Sequence, residues 1–127
     1  MTAKALELAF ARLHTDRCQA IYVASGPMGP VKRARIISLA ADARVPAIYS
    51  FRIFAVEGGL ISFAADYVDL FRRAADFVDR ILESANPATL PVEPPRKFNL
   101  TVNLETARKL GLTIPPAILA AADEIFE

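Results

Sequence analysis

The chain has 127 residues, a formal net charge of +1, 54% hydrophobic and 23% charged residues, and one cysteine. That is the composition of an ordinary globular domain with its own core, and nothing in the charge calls for nucleic acid or an acidic partner. A single cysteine excludes an internal disulfide, and no apolar run approaches the length of a membrane span, so no membrane insertion is expected.

At the amino terminus, Thr2 is placed to cap a first helix in which Leu6, Phe10 and Leu13 share one face, ending near His14. Lys4, Glu7 and Arg12 interrupt its apolar positions, so it does not read as a signal peptide; taken literally the product stays in the cytoplasm, or its leader has been lost or trimmed. Residues 20–24 are β-branched and aromatic, the pattern of a buried strand. The loop 25–30 is rich in glycine and proline, and Pro30 suits the first turn of a second helix running to about Ala43, with Ile36, Ile37, Leu39 and Ala40 buried.

The segment 46–82 reads as strand, turn, strand and long helix. Ala47, Ile48 and Tyr49, then Leu60, Ile61, Ser62 and Phe63, are short apolar runs without alternation, as expected of parallel strands covered on both faces. Residues 51–56 allow a brief helical turn stopped by Gly58 and Gly59. The long helix starts at Asp66 and carries an apolar stripe of Tyr67, Leu70, Phe71, Ala74, Phe77, Val78, Ile81 and Leu82, expected to be buried. Asp69 with Arg73 and Asp76 with Arg80 are spaced as ion pairs on its wet side.

Residues 84–97 hold four of the nine prolines and form a linker-like connection. Beyond it, residues 98–104 alternate apolar and polar, as a strand with one exposed face does. A short helix capped by Asn103 and ended by Gly111 follows, and a last helix begins at Thr113 with Pro115 and Pro116 in its first turn. Strand-then-helix passes in series predict right-handed crossovers, a mostly parallel sheet and an α/β, Rossmann-like three-layer partial lobe.

The side chains that could carry chemistry are few. His14 has no nucleophile or orienting partner near it in sequence and reads as a surface or capping residue; Cys18 reads as a small buried hydrophobe. No second histidine or cysteine stands at metal-ligand spacing, and neither a metal nor a cofactor is expected. The loop 25–30 and the basic Lys32, Arg33 and Arg35 match no phosphate-binding spacing, and prolines remove amide donors there. What remains is a helix amino terminus able to take a carboxylate, or simply a solvated basic face. Ligands on open α/β sheets sit beyond the carboxyl ends of the strands, which points to Tyr49 and Ser50 and to residues 62–66. Asp66 is either a helix cap or an acceptor for the ammonium group of an amino acid.

Residues 46–82, with the EGG turn and the DLFRRAA helix start, and residues 90–127, with their LGLTIPP ending, resemble the carboxyl-terminal portion of ABC-transporter substrate-binding proteins of the tryptophan and tyrosine type. That resemblance implies a non-catalytic lobe for a small amino-acid-like or aromatic ligand, touched by Tyr49, Ser62, Phe63, Asp66 and Ser25. It also implies a permease partner and a periplasmic family setting. The family's Ser-Tyr-Gly-x-Asp/Asn segment stands here as Ser62, Phe63, Ala64, Ala65 and Asp66, without its tyrosine and glycine. The family chain has two lobes, of which this one carries the later part of the second. The expected organisation is a partial lobe at 1–83, a crossover linker at 84–97, and a strand-helix-helix segment at 98–127, in the same domain or exchanged onto a second chain. A homodimer with that segment exchanged is the favoured arrangement, and the alternative function is a decayed fragment serving as a structural or regulatory dimerisation module.

Overall fold

The computed structural model describes residues 3–26 and 29–127. Thr2, the expected first cap, and Pro27 and Met28 of the first loop lie outside them. The described residues group into two compact units: residues up to Ala64 together with Asn99–Glu127, and Ala65–Phe98. The second of these units holds the long helix and the proline-rich connection.

In the first unit, α1 (Ala3–Thr15) leads to β1 (Ile21–Val23), a 3-10 turn at Pro30–Lys32, α2 (Arg33–Asp42), β2 (Ala47–Tyr49), α3 (Arg52–Val56) and β3 (Ile61–Ala65). After the second unit the chain returns as β4 (Phe98–Asn103), α5 (Leu104–Leu110), α6 (Pro116–Ala121) and β5 (Glu124–Phe126). The five strands lie in sequence order in one sheet. β1 pairs β2, β2 pairs β3 and β4 pairs β5 in parallel. The Asn103 amide, at the end of β4, donates to the Leu60 carbonyl at the start of β3, 2.9 Å away, so this one step is antiparallel. The class is the mixed α/β, mostly parallel sheet that the alternation of strands and helices predicts.

The expected exchange of the carboxyl-terminal segment onto a second chain finds no support here. β4 closes its hydrogen bonds on the chain's own β3 and β5, so its backbone needs no partner copy.

The register puts Val23, Tyr49 and Ser62 in one row and Tyr22, Ile48 and Ile61 in the row on the opposite face. The first face is the core: Leu6 of α1, Ile36 and Ala40 of α2 and Phe54 of α3 close over Ala47 and Tyr49. Tyr49 and Phe54 stack with centroids 4.7 Å apart, and burial pushes the Tyr49 phenol up to about 12. On the second face Tyr22 is 66% exposed and Ile48 is at the margin of exposure, so over β1 and β2 the helical layer is one-sided.

Two glycines make the turn into β3. Gly58 takes φ +105°, which a side chain would resist, and a methyl on Gly59 would stand 2.6 Å from the Tyr49 ring and 2.8 Å from the Phe54 carbonyl. Gly59→Ala is expected to cost about 1–3 kcal/mol or more by overpacking against backbone, read as a lowered denaturant midpoint with unchanged slope.

The second unit is α4 (Tyr67–Leu82), a 3-10 turn at Pro87–Thr89 capped by Asn86, and an extended return. The stripe expected to be buried is not: no residue of α4 is buried, and Phe71 and Leu82 are 74% and 79% exposed. The covered side holds Asp69 and Arg73 of the expected wet side together with Leu70 and Phe77 of the stripe, while Asp76 and Arg80 stay exposed. Asp69 pairs with Lys97 at 3.2 Å, and Arg73 pairs with Glu93 and donates to the Pro94 carbonyl at 3.0 Å, in place of an Asp69–Arg73 pair. The physical reason is that within this unit the only material to pack on is the charged, proline-rich return strand, which attracts the charged side of the helix. No helix among the described residues is long and apolar enough to cross a membrane.

Candidate functional site

Parallel strands present their carboxyl ends at one edge of the sheet, and in the first unit that edge is made by the residues following Val23 and Tyr49. Ser50 sits there. Its hydroxyl lies 3.0 Å from the Val23 carbonyl and 3.1 Å from the Tyr22 phenol oxygen. A carbonyl can only accept, so the single Ser50 proton goes to Val23, and the phenol then donates to the Ser50 oxygen. The Tyr22 oxygen keeps its lone pairs for an outside donor, such as an ammonium group.

The surface beside this pair is apolar. Ile48 shares a row with Tyr22, and Phe63, 49% exposed, stands one position further along β3 than Ser62, the cross-strand partner of Tyr49. Ser25 is exposed in the loop after β1. An aromatic shelf with a hydroxyl pair at its rim suits a ligand that carries both a ring and a charged amine.

The remaining expected site residues fall elsewhere. Tyr49 and Ser62 are 1% and 0% exposed; they face α2 and α3 in the core, and a ligand could reach them only by opening it. The Ser62 hydroxyl has no hydrogen-bond partner among the described residues. Alternation along each strand turns both to the helix side. Asp66 is the amino-terminal cap of α4, its carboxylate accepting from the Val68 and Asp69 amides at 2.9 and 3.1 Å. Cys18 is exposed, not buried, because it lies in the turn after α1 instead of on β1. His14 is exposed.

The basic start of α2 has its anionic neighbours inside the chain. Arg33 pairs with Glu57 at 2.7 Å and Arg35 with Glu7 at 2.9 Å, so the charge that opposes the helix dipole is answered without a ligand. Beyond β2, Arg52 holds Glu124 with two bonds of 2.6 Å and keeps its carboxyl below the usual range. Among the described residues no three acidic, histidine or cysteine side chains gather as a metal site.

Tyr22 was missed because its run of apolar neighbours reads as a buried strand. Only the pairing with β2, which sets it over Ile48 and beside Ser50, turns its hydroxyl toward the edge.

Comparison with known proteins follows this geometry. A family model described as ABC transporter substrate binding protein matches residues 2–126. A conserved domain protein from Vibrio cholerae is similar over 96% of this chain and 41% of its own, with 26% identity and a TM-score of 0.84. An ABC domain from Streptococcus pneumoniae, solved in complex with L-Trp, matches at 23% identity and a TM-score of 0.81, over 98% of this chain and 41% of that one. A substrate-binding protein with adhesive properties from Clostridium difficile, in a ligand-free, open structure, matches at 16% identity and 0.69, over 99% and 42%. The chain thus spans about two fifths of the solved chains it resembles. A search of curated proteins finds no match.

Proposed function

The chain belongs to the ABC transporter substrate-binding protein family, and from that premise we propose that it is a non-catalytic binding lobe for a small amino acid with an aromatic side chain. The single observation that supports this most is the Tyr22–Ser50–Val23 chain of hydrogen bonds at the sheet's carboxyl edge, which leaves a phenol oxygen ready to accept from an ammonium group. In this reading Tyr22 and Ser50 take the amine. Phe63 and Ile48 offer the apolar shelf, and Ser25 borders it. Tyr49 holds the shelf up from beneath. The L-Trp complex of the Streptococcus pneumoniae protein supports the ligand class. Delivery of the ligand to a membrane permease is the partner relation the family suggests.

A lobe that covers a ligand on one side makes half the contacts of an enclosed site, so affinity is low for the chain alone. Thermal shift with L-Trp in large excess over its dissociation constant is expected to raise the midpoint, about 1.4 kcal/mol at roughly tenfold excess. N-acetyl-tryptophan, which has lost the ammonium, gives less. Tyr22→Ala removes the response while leaving the fold intact, since Tyr22 lies outside the core. No shift with L-Trp, L-Tyr or L-Phe, or an undiminished shift in Tyr22→Ala, would overturn the assignment.

A further inference from the structure

Ser50 is tied toward β1, its amide and its hydroxyl both meeting the Val23 carbonyl, at 3.3 and 3.0 Å. On its other side the chain runs straight into α3, which starts without a side-chain cap because Phe51 stands at the capping position. At that start Arg52 reaches Glu124 of β5 with two bonds of 2.6 Å, between residues 72 apart in sequence. Its guanidinium also lies over the Phe126 ring, 5.9 Å from the centroid. We infer that Arg52 is a positioning residue for the ligand edge, fixing Ser50 through the start of α3, with Glu124 and Phe126 of the last strand as its seat. As a role in binding this rests on the ligand reading above, to which it adds β5.

The register makes β5 a firm seat. Thr101 pairs with Glu124 and Asn103 with Phe126, so both groups that hold Arg52 share the side of the sheet on which Asn103 donates to the Ala55 carbonyl of α3. β4 is in turn bonded to β3 through the Asn103 amide and the Leu60 carbonyl. Helix α3 thus has three outside tethers: Arg52 to Glu124 at its start, Ala55 to Asn103 within it, and Glu57 to Arg33 just past its end. Of these, the first alone acts on the turn that leads out of β2.

Geometry carries this role further than charge does. The Arg52 and Glu124 side chains are 54% and 34% exposed, and a single-point ion pair so placed contributes little. Two parallel bonds from a planar guanidinium to one carboxylate set direction as well as distance, and the ring against that plane narrows it further. Direction is what a residue needs in order to place its neighbours.

Amide exchange of the full chain without ligand, followed by NMR, tests it. The Ser50 amide is expected to exchange about fivefold faster in Arg52→Ala and in Glu124→Gln than in the wild type. The Ile21 amide, which donates to the Pro46 carbonyl at the opposite end of the same strand pair, keeps its rate. The swapped pair, Arg52→Glu with Glu124→Arg, returns Ser50 to within about twofold of wild type. Titration with L-Trp is expected to show a dissociation constant raised by about the same factor in both single variants. An unchanged Ser50 rate in the two single variants would overturn the inference. So would equal acceleration at Ile21, which marks general loosening, a swapped pair as fast as the singles, or L-Trp binding undiminished in the variants. A wild type that ignores L-Trp while the exchange pattern holds overturns the ligand reading instead, and leaves Arg52 as the residue that places Ser50.

Discussion

Phe54→Ala is expected to be the most damaging single truncation in the first unit, costing about 3–5 kcal/mol and lowering the melting temperature by roughly 10–20 °C. Phe54 is 1% exposed and stacks on Tyr49 at an interplanar angle of 15°, so the deletion removes apolar burial, opens a cavity and forfeits a ring pair contributing about 0.5–1.5 kcal/mol. The five-residue α3 has no length to hold itself together and stays because Phe54 anchors it under the sheet. Ser50 lies two residues before that helix, with its hydroxyl bond to Val23 depending on where α3 begins. The ligand response should therefore fall in Phe54→Ala even below its lowered melting temperature. Phe54→Leu, which keeps the burial but not the stack, should lose less than half as much stability. Denaturant melts of the two variants with a common slope separate the terms; equal losses would mean that the ring pair decides.

Local signals in this chain were legible where backbone chemistry alone determines the outcome. Asn103 caps α5, Gly111 ends it in the left-handed region at φ 71°, and Pro30 opens the first turn before α2, all from the residue type at one position. The buried sides of α1 and α2 likewise follow from Leu6, Ile36 and Ala40 at helical spacing. What could not be read is what each apolar face would meet. The periodicity of α4 predicts an apolar side, but which side is covered depends on the segment that comes to lie against it, here Glu93 to Lys97. β5 was hidden for the same reason: Glu124–Phe126 is three residues long, too short to carry a strand pattern of its own. They become a strand because β4 offers an edge, with the Asp123 amide donating to the Leu100 carbonyl at 2.9 Å and the Leu100 amide to the Asp123 carboxylate at 2.7 Å. Tyr49 and Ser62 show the limit of reading a site from a sheet's edge rule. The rule locates the end of a strand, while the direction of a side chain there depends on which face its parity selects.

Asn103→Ala is the second substitution expected to matter greatly, at about 2–4 kcal/mol, because one buried side-chain amide serves two elements at once. Its Oδ1 accepts from the Thr106 amide at 2.9 Å and starts α5; its Nδ2 donates to the Ala55 carbonyl of α3 at 3.0 Å; its backbone amide ties β4 to Leu60 at 2.9 Å. The side chain is 6% exposed, so water does not replace what is lost. Alanine removes the cap, about 1 kcal/mol, and leaves the Ala55 carbonyl without this donor, about 1–3 kcal/mol more. Asn103→Asp divides these contributions. A carboxylate still caps Thr106, but it cannot donate at neutral pH and faces a carbonyl oxygen, so the variant keeps the helix start while losing the tie to α3. If the aspartate variant melts with wild-type stability, the cap alone explains the residue; if it falls as far as alanine or beyond, the bond to α3 is the larger part. The second outcome is expected, because the cap has a neighbour that shares its work: Thr106 Oγ1 donates to the Gly58 carbonyl at 2.8 Å and holds the first turn of α5 against the turn that leads into β3. With alanine at 103, that hydroxyl and the backbone pairing of β4 with β3 are what remain to hold the returning strand and helix to the lobe. Hydrogen exchange should then show α5 and β4 opening before β1 and β2.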